Sequence, residues 1–429
     1  MKQIFNQSVD SVSKMWLRSS QGIGGGIREG FNDFRSELRD ATTTKKYTRS
    51  GIGQWDQTLL WAVALLTLIG VVMVYSASIT LANGAGREAA QTGHSYLVRH
   101  VFSLAVAVFI GLMAFQIPTK VWDRLAPLIF LFTIFLLILV LIPGIGKSVK
   151  GSSRWISLGV MNFQPSELMK FACILYVSHY TVRRQEYLHT FIKGFLPIGF
   201  IVGFVGALLL FEPDMGAFMV IAGIAMGILF LGGISAKLFS YLIVIGITTF
   251  GLAVATSEFR RKRIMAFLDP WDPEQAQGKA YQLTHSLMAF GRGEWFGVGL
   301  GGSVEKLHYL PEAHTDFILA VIGEELGFIG VFIVIICFYW IVRRSFMIGR
   351  TCLQLDRSFA GLIAKGIGIW IGWQTFINMG VNLGLLPTKG LTLPLVSYGG
   401  SALLVNALAI ATLIKIDAEN RVLMRGGKL

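Results

Sequence analysis

One carboxylate in this sequence stands where a polar loop runs directly into an apolar helix. The segment Tyr309–Leu326, YLPEAHTDFILAVIGEEL, carries His314 and Asp316 before the apolar run, and Glu324 and Glu325 within it. A carboxylate at the mouth of a membrane span can meet water and a lipid-anchored substrate at the same place. If it lies within hydrogen-bond reach of a hydroxyl, it can act as a general base. We therefore take Asp316 as the candidate catalytic residue.

A capping role for Asp316 is compatible with catalysis. A carboxylate beside a helix N-terminus interacts well with the exposed amides and with the helix dipole. Glu324 lies eight residues further on, so the helix rise separates it from Asp316 by about 12 Å. The two therefore cannot form the close carboxylate pair of a retaining glycosidase. We expect Glu324 and Glu325 to be hydrogen-bonded interior groups.

A second set of polar residues recurs at three-residue intervals within an apolar stretch. Gln164, Glu167 and Lys170 lie around Pro165, which suits the first turn of a helix. An unpaired charge at mid-bilayer costs about 2.5–3.5 kcal/mol, so Glu167 and Lys170 should face a cavity or each other. Two interpretations stay open. The pair fixes helix packing, or Lys170 binds a substrate phosphate that Glu167 orients.

The composition is that of a polytopic membrane protein. The 429 residues are 53% hydrophobic and 15% charged, with a mean hydropathy of +0.61. The apolar runs lack the alternation of barrel strands, so helices are the spanning units. The net charge of +13 indicates lysine and arginine in cytoplasmic loops rather than nucleic-acid binding. The three cysteines fall in spans or in a cytoplasmic loop, so we expect no disulfide framework, and none has a metal-ligand spacing.

The apolar windows predict an all-α fold with ten transmembrane helices. The windows cover about residues 57–79, 97–116, 122–142, 165–181, 194–211, 215–232, 236–256, 316–342, 359–383 and 397–416. Residues 1–54 are then a cytoplasmic N-terminal tail, residues 55–416 the ten-span domain, and residues 417–429 a cytoplasmic C-terminal tail. Residues 257–315 form a long extracytoplasmic loop, in which we expect short helices such as Ala280–Phe290.

Several basic residues fall on the outside in this topology. Lys147, Lys150 and Arg154 share one loop, and Arg260–Arg263 follow the seventh span. The orientation rule tolerates some scatter of this kind. The alternative is an anionic substrate at the outer surface, and phosphate suits guanidinium and ammonium groups in charge and geometry.

Proline and glycine interrupt the apolar pattern at three further places. Glu212–Asp214 forms a tight turn between the fifth and sixth spans, and Lys389 and Ser397 lie in a Gly/Pro-containing segment before the last span. Such breaks let backbone groups line a cavity. Gly297–Gly302 matches the letters of a dinucleotide motif, but no strand of a βαβ unit precedes it, so we do not expect a cofactor there.

Five segments together resemble the SEDS family of bacterial cell-wall proteins. They are Arg154-Trp155, Asn162–Glu167, Glu212–Asp214, Pro311–Phe317 and Leu393–Ser401. The resemblance covers about residues 55–416, and the five segments follow one another in the same order as in the family. It implies a ten-span fold that polymerises lipid II into glycan strands, with Asp316 at the position of the essential acidic residue. Details of the second and fourth segments resemble the division member of the family rather than the elongation member.

The resemblance also implies a site and partners. We expect the substrate to contact polar residues that lie in these segments or that the charge pattern singled out: Lys150, Arg154, Gln164, Glu167, Lys170, His314, Lys389 and Ser397. The expected partners are lipid II, the nascent glycan strand, membrane lipid, a class B penicillin-binding protein and other division proteins. The expected location is the inner membrane at the division septum, and no nucleic acid is expected.

The mechanism we expect has a donor whose undecaprenyl pyrophosphate lies in a groove between spans, with its charge met by Lys150, Arg154 and Lys170. Asp316 accepts the proton of the attacking sugar hydroxyl. Mg²⁺ or Mn²⁺ could assist the pyrophosphate, although the sequence has no clear ligand set. Two alternatives remain open: a lipid II flippase, and a non-catalytic scaffold that recruits a penicillin-binding protein.

Overall fold

Most apolar runs of the chain form long helices. The computed structural model describes residues 55–79, 93–149, 152–157, 162–256 and 258–428. The predictions made for residues 1–54 and for Lys150 lie outside this part of the chain. The helices are α1 Gln57–Ser78, α2 Gly93–Gln116, α3 Thr119–Leu141, α4 Pro165–Arg183, α5 Leu196–Phe211, α6 Met215–Leu231, α7 Ala236–Ala255, α8 Glu258–Leu268, α9 Pro273–Ala276, α10 Tyr281–Gly293, α11 Ile318–Gln354, α12 Ser358–Asn382 and α13 Gly400–Met424.

Six helices of the described residues are long and apolar enough to cross a membrane. They are α1, α2, α3, α11, α13 and α5 together with the π-helical turn Phe191–Phe195 that precedes it. Helix α6 and the first half of α7 are shorter apolar helices. The chain is therefore a mostly helical membrane protein. The predicted helix in the segment before Asp316 is confirmed by α10.

The prediction of an all-α fold is wrong for the segment between α3 and α4. Strands β1 Gly146–Val149, β2 Ser152–Ser157 and β3 Asn162–Phe163 form an antiparallel sheet in the order β1-β2-β3. Lys147 pairs with Trp155, and Ile156 pairs with Phe163. Strands this short carry too little periodicity to be recognised from the sequence.

Several helices end elsewhere than the apolar windows. Helix α11 continues to Gln354 rather than residue 342, and α13 runs from Gly400 to Met424 rather than from 397 to 416. A hydropathy window stops at the first charged residues, whereas hydrogen bonding and packing can continue the helix beyond them. Ser397 does not begin the last helix, because its segment forms a loop.

Polar contacts mark two ends of the bundle. At one end the Asp56 carboxylate pairs with the Arg344 guanidinium, and at the other the Ser76 hydroxyl donates to Glu325 at 2.7 Å. The rise from Asp56 to Ser76 is about 30 Å, the thickness of a bilayer's hydrocarbon core. We call the first the tail end. The second is the loop end, because Gly301 and Lys306 of the loop before α11 bond Glu325 there.

Other helices also have polar contacts at the tail end or the loop end. At the tail end Thr119, the first residue of α3, donates its backbone N–H to Glu419 of α13 at 3.1 Å, and Glu419 also pairs with Arg357. At the loop end the backbone N–H of Gln164 donates to Ser401 of α13 at 3.0 Å. Helix α1 therefore runs antiparallel to α11, and α3 antiparallel to α13, between two polar layers.

Helix α11 is kinked at Gly327, where φ is 66° and ψ is −164°. The segment after α10 supplies hydrogen bonds at this break. The backbone N–H of Phe328 donates to Glu294 at 2.9 Å, and that of Val298 donates to Glu324 at 2.9 Å. Backbone groups of the loop after α10 therefore replace some of the hydrogen bonds that an unbroken helix would make within itself.

This packing explains the glycine-rich motif of the sequence. A Cβ on Gly297, whose φ is +79°, would lie 2.1 Å from the Glu325 carbonyl oxygen. Gly299 has a φ of +93° and donates its N–H to the same carbonyl at 3.1 Å. The motif therefore gives close backbone approach to the kink, and α10 rather than a strand precedes it.

Gly327→Ala tests the importance of the kink. A Cβ there would lie 2.4 Å from the Gly297 nitrogen, and the residue would keep a backbone conformation that side chains rarely adopt. We expect a loss of at least about 2 kcal/mol, seen as a lower melting temperature in detergent. Gly203→Ala in α5, where a Cβ meets nothing within 4 Å, is the control. Equal melting temperatures for the two variants would contradict this account.

Candidate active site

Asp316 lies in a turn just before α11. The turn is held by its own backbone, since the N–H groups of Thr315 and Phe317 both donate to the Glu312 carbonyl, at 3.1 and 3.2 Å. The N-cap position of α11 falls on Phe317, one residue after Asp316. Asp316 is half-buried. It stands at the loop end of the bundle, outside the helix that the sequence predicted it would begin.

Two asparagines of α12 hold the backbone of Asp316. The side-chain amides of Asn378 and Asn382 donate to the Asp316 carbonyl at 2.9 and 3.0 Å. Asn378 also donates to the Leu391 carbonyl at 2.6 Å. Because both asparagines are almost fully buried, the turn is anchored to α12 by bonds shielded from water.

The Asp316 side chain packs against a glycine of the loop between α12 and α13. Its Oδ2 atom lies 2.8 Å from the position that a Cβ on Gly390 would take. On the other side of this loop, a Cβ on Gly216 in α6 would lie 3.0 Å from the Gly390 carbonyl oxygen. Gly390 therefore brings the Asp316 turn and the start of α6 together. Lys389 is its half-buried chain neighbour.

Ser397 connects the same loop to the Asp316 turn. Its hydroxyl donates to the Thr315 carbonyl at 2.6 Å and accepts from the Leu393 N–H at 2.8 Å. The N–H of Tyr398 donates to the His314 carbonyl at 3.0 Å. Ser397 is buried, so in this structure its hydroxyl serves the turn. Its contact with substrate stays a prediction.

Glu167 and Lys170 form a buried pair beneath this loop. Lys170 Nζ donates to Glu167 at 2.8 Å and to Gln374 at 2.9 Å, and Lys170 has no exposed surface. Gln374 in turn donates to the Thr392 carbonyl at 2.8 Å. The predicted ion pair is thus present and linked to the loop that contacts Asp316. Lys170 would reach a phosphate only by giving up these acceptors.

A second cluster surrounds the turn between α5 and α6. The Gln164 amide and the Ser166 hydroxyl donate to Asp214, at 3.2 and 3.1 Å. Arg154, on strand β2, donates from Nε to the Glu212 carbonyl at 3.0 Å and also bonds the next carbonyl of the turn. The side chain of Arg154 keeps 27% of its surface exposed. The structure therefore brings Arg154 and Gln164, two of the predicted substrate-binding residues, together around Asp214.

Glu212 is an unusual member of this turn. It is 1% exposed, and within the described residues neither carboxyl oxygen has a hydrogen-bond partner. The pKa of Glu212 is raised to about 8, chiefly by burial and also by the Asp214 charge, while Arg154 opposes the shift. The carboxyl is therefore mostly protonated at pH 7.

The prediction that Glu324 and Glu325 are hydrogen-bonded interior groups is confirmed. Glu324 accepts from Arg292 at 2.8 Å and from the Ser303 hydroxyl at 2.5 Å. Glu325 accepts from Lys306 Nζ at 2.6 Å. Neither glutamate has exposed surface. Both stabilise the loop around the α11 kink.

Sequence reasoning missed the amides that hold the site, above all Asn378 and Asn382. The sequence could have indicated both residues, because two amides four residues apart on an apolar helix must find hydrogen-bond partners inside the bundle. Across the described ranges, no three His, Cys, Asp or Glu side chains form a group that could hold a metal ion. Cys173, Cys337 and Cys352 are buried and free.

The fold and site define a multi-span membrane protein with a half-buried carboxylate at one boundary of its apolar bundle. Residues 57–422 match the family described as "Cell cycle protein", which takes in FtsW, RodA and SpoVE. The chain belongs to this family, the SEDS proteins.

Two relatives match the chain over nearly its whole length. A probable peptidoglycan glycosyltransferase FtsW of Polynucleobacter necessarius is 66% identical and covers 94% of this chain and 95% of the relative. The protein of the same name from Burkholderia thailandensis is 59% identical and covers 99% of this chain and 91% of the relative.

Two solved structures share the fold. One, described as showing structural coordination of polymerization and crosslinking by a peptidoglycan synthase complex, has a TM-score of 0.65 at 24% identity. It covers 86% of this chain and 99% of the solved chain. RodA of Thermus thermophilus has a TM-score of 0.59 at 23% identity, covering 85% and 97%.

Lys170→Met tests the buried pair. Removing the ammonium leaves Glu167 buried without its charge partner, so we expect a loss of about 3–5 kcal/mol in the free energy of unfolding. Lys262→Met is the control, because Lys262 and Glu258 form an exposed pair whose removal should leave the free energy of unfolding almost unchanged. Unfolding in detergent measures both, and similar losses for the two variants would refute the account.

Glu212→Gln tests the protonated carboxyl. The pKa of Glu212 is raised in the folded protein, so between about pH 4.5 and pH 8 the folded state binds more protons than the unfolded state. Stability should therefore fall as pH rises through this window and level off above it. The glutamine variant should show a shallower fall in melting temperature from pH 5 to pH 8. Parallel curves for wild type and variant would mean that Glu212 ionises normally.

Proposed function

We propose that this chain transfers glycan chains from an undecaprenyl-pyrophosphate donor to lipid II during septal cell-wall synthesis, with Asp316 as general base. The two relatives described above bear the name peptidoglycan glycosyltransferase, and at 59–66% identity this chain shares that activity. The assignment of the base rests on one observation: Asp316 is a half-buried carboxylate in a turn fixed by Asn378, Asn382 and Ser397.

Rigid placement is what a general base requires. The acceptor hydroxyl must come within hydrogen-bond distance of the carboxylate while it attacks the anomeric carbon. Asp316 keeps exposed surface for this approach, and its neighbour Gly390 has no side chain to obstruct it. Positioning of this kind can supply a large share of the rate.

The reaction balances with this one base. The acceptor oxygen forms a bond to the anomeric carbon of the donor sugar, and the bond from that carbon to the pyrophosphate oxygen breaks. The hydroxyl proton passes to Asp316 and then to water. Undecaprenyl pyrophosphate leaves with its negative charge.

Cations should stabilise that leaving group. We assign Arg154 and Lys389 to this role, because both belong to the polar loops at the Asp316 end of the bundle and both have exposed surface. Lys150 would add to this positive charge. Lys170, which is buried beneath the loop, would act on the leaving group through its hydrogen bond to Gln374. His314, Gln164 and Glu167 complete the set of substrate-side residues. No step is derived through a metal ion.

We propose that ten helices cross the membrane. Helices α4 and α12 join the eight apolar helices, since their polar residues Glu167, Lys170 and Gln374 are paired within the bundle and so lower hydropathy without facing lipid. The tail end is rich in lysine and arginine, which assigns it to the cytoplasm with both termini. The loop end, with Asp316, then faces the periplasm of the inner membrane.

We further propose a class B penicillin-binding protein as partner, which would cross-link the strands that this chain makes. The fold neighbour described as a peptidoglycan synthase complex that coordinates polymerization and crosslinking supports this assignment.

Purified protein supplied with lipid II in detergent, alone and with the partner, tests the proposal. Wild type should form glycan polymer, and Asp316→Asn should lower the rate at least about 10²-fold at an unchanged melting temperature, because the amide cannot accept the proton. Asp272→Asn is the control, since Asp272 only caps the short helix α9.

Each outcome of this experiment has one meaning. A wild-type rate for Asp316→Asn removes the base from the mechanism. Absence of polymer from wild type with its partner present favours the flippase or the scaffold. Detergent abolishes sidedness, so flipping cannot imitate polymer formation.

A further inference from the structure

A cluster of aromatic rings lies beside the Asp316 turn, and the mechanism above gives none of these rings a defined contact beyond counting His314 among the substrate-side residues. Tyr96 of α2 contacts His314 with ring centroids 5.3 Å apart and Tyr398 at 5.5 Å. His314 and Tyr398 contact each other at 5.6 Å. We call Tyr96, His314 and Tyr398 the aromatic cluster. His314 precedes Asp316 by two residues, so the cluster borders the candidate base.

The cluster is open on one side. All three of its rings are half-buried, and the exposed side chain of Arg99 is near enough to Tyr398 for its charge to oppose the rise that burial causes in the Tyr398 pKa. The exposed surface therefore combines aromatic faces with one guanidinium. Binding sites for small ligands typically have this composition, with a few polar groups set among aromatic side chains.

A buried histidine lies beneath the cluster. The ring of His100 is 5.9 Å from that of Tyr398, and His100 is only 1% exposed. Within the described residues, neither of its ring nitrogens has a hydrogen-bond partner. A buried polar group without a partner is costly, so aromatic packing alone does not account for a histidine here. A polar group brought by a ligand would account for it.

A pyranose ring suits such a surface. Its two faces carry C–H groups that pack on aromatic rings, and its edge carries hydroxyls that bind polar groups. Of the cations assigned to the pyrophosphate, Arg154 lies on strand β2 and bonds the turn between α5 and α6, whereas Tyr96 of the cluster lies on α2, at another side of the Asp316 turn. The sugar beside Asp316 on the α2 side is therefore the acceptor rather than the donor.

We propose that Tyr96, His314 and Tyr398 form the subsite for the acceptor hexosamine, with Arg99 at its rim and His100 beneath it. This inference rests on the proposed role of Asp316, because the base defines which sugar lies beside it. The subsite orients the ring so that its hydroxyl points to the carboxylate.

Equilibrium binding in an Asp316→Asn background tests the subsite without turnover. The probes are lipid II and undecaprenyl pyrophosphate, which lacks sugars. Tyr96→Leu should weaken lipid II binding roughly five- to tenfold, the value of one aromatic contact, and should change undecaprenyl pyrophosphate binding less than twofold. Tyr96→Phe, which keeps the ring, should bind both probes within about twofold of the parent. Phe102→Leu, at an exposed aromatic of the same helix, is the matched control.

Two results would overturn the proposal. Equal weakening of both probes, with a lower melting temperature, would show that the cluster only attaches α2 to the loop. Unchanged lipid II binding would show that no sugar contacts Tyr96. A polymerising Asp316→Asn protein would refute the base instead, so the two failures are distinguishable.

Kinetics separate acceptor from donor. With otherwise native protein, Tyr96→Leu should raise the KM for intact lipid II as acceptor. It should leave unchanged the KM for a lipid II analogue whose acceptor hydroxyl has been removed and which serves only as donor. A raised KM for the donor-only analogue would overturn the assignment to the acceptor sugar.

Discussion

A charge inside a bundle of apolar helices must have a partner within reach, and this requirement governs how the chain packs. Lipid offers no hydrogen bonds, so each buried polar group is satisfied by protein or costs several kcal/mol. Lys170 meets this need through Glu167 and Gln374, and Glu325 meets it through Lys306 and Ser76. These bonds join α4 to α12 and α1 to α11. They therefore determine which helices pack together and how each helix is positioned along its neighbour.

The same requirement positions the candidate base. The turn before α11 has backbone groups that its own helix cannot satisfy, and amides from α12 supply them. Glycines then allow loops to approach closely, as Gly390 does beside Asp316 and Gly327 does at the kink. The carboxylate ends up fixed in position but open to one side. Stability and chemistry thus depend on the same contacts.

The sequence predicted the long helices but not the sheet or all of the helix ends. Apolar windows indicated the long helices, because burial in lipid requires a local run of about 20 apolar residues. They did not predict the sheet formed by strands β1, β2 and β3 or the continuation of α11 to Gln354. Hydropathy reports the average polarity of a window, whereas strand pairing and helix continuation depend on hydrogen bonds to particular neighbours.

By itself, then, the sequence determined the membrane class, the acidic residue at a helix mouth and the Glu167–Lys170 pair, since each is a matter of composition or of spacing within one helix. Only the tertiary structure decided that Asn378 holds Asp316, that Arg154 bonds the turn at Glu212, and that Tyr96 lies against His314. These contacts join residues far apart in the chain. They depend on how whole helices pack, and no local pattern records that.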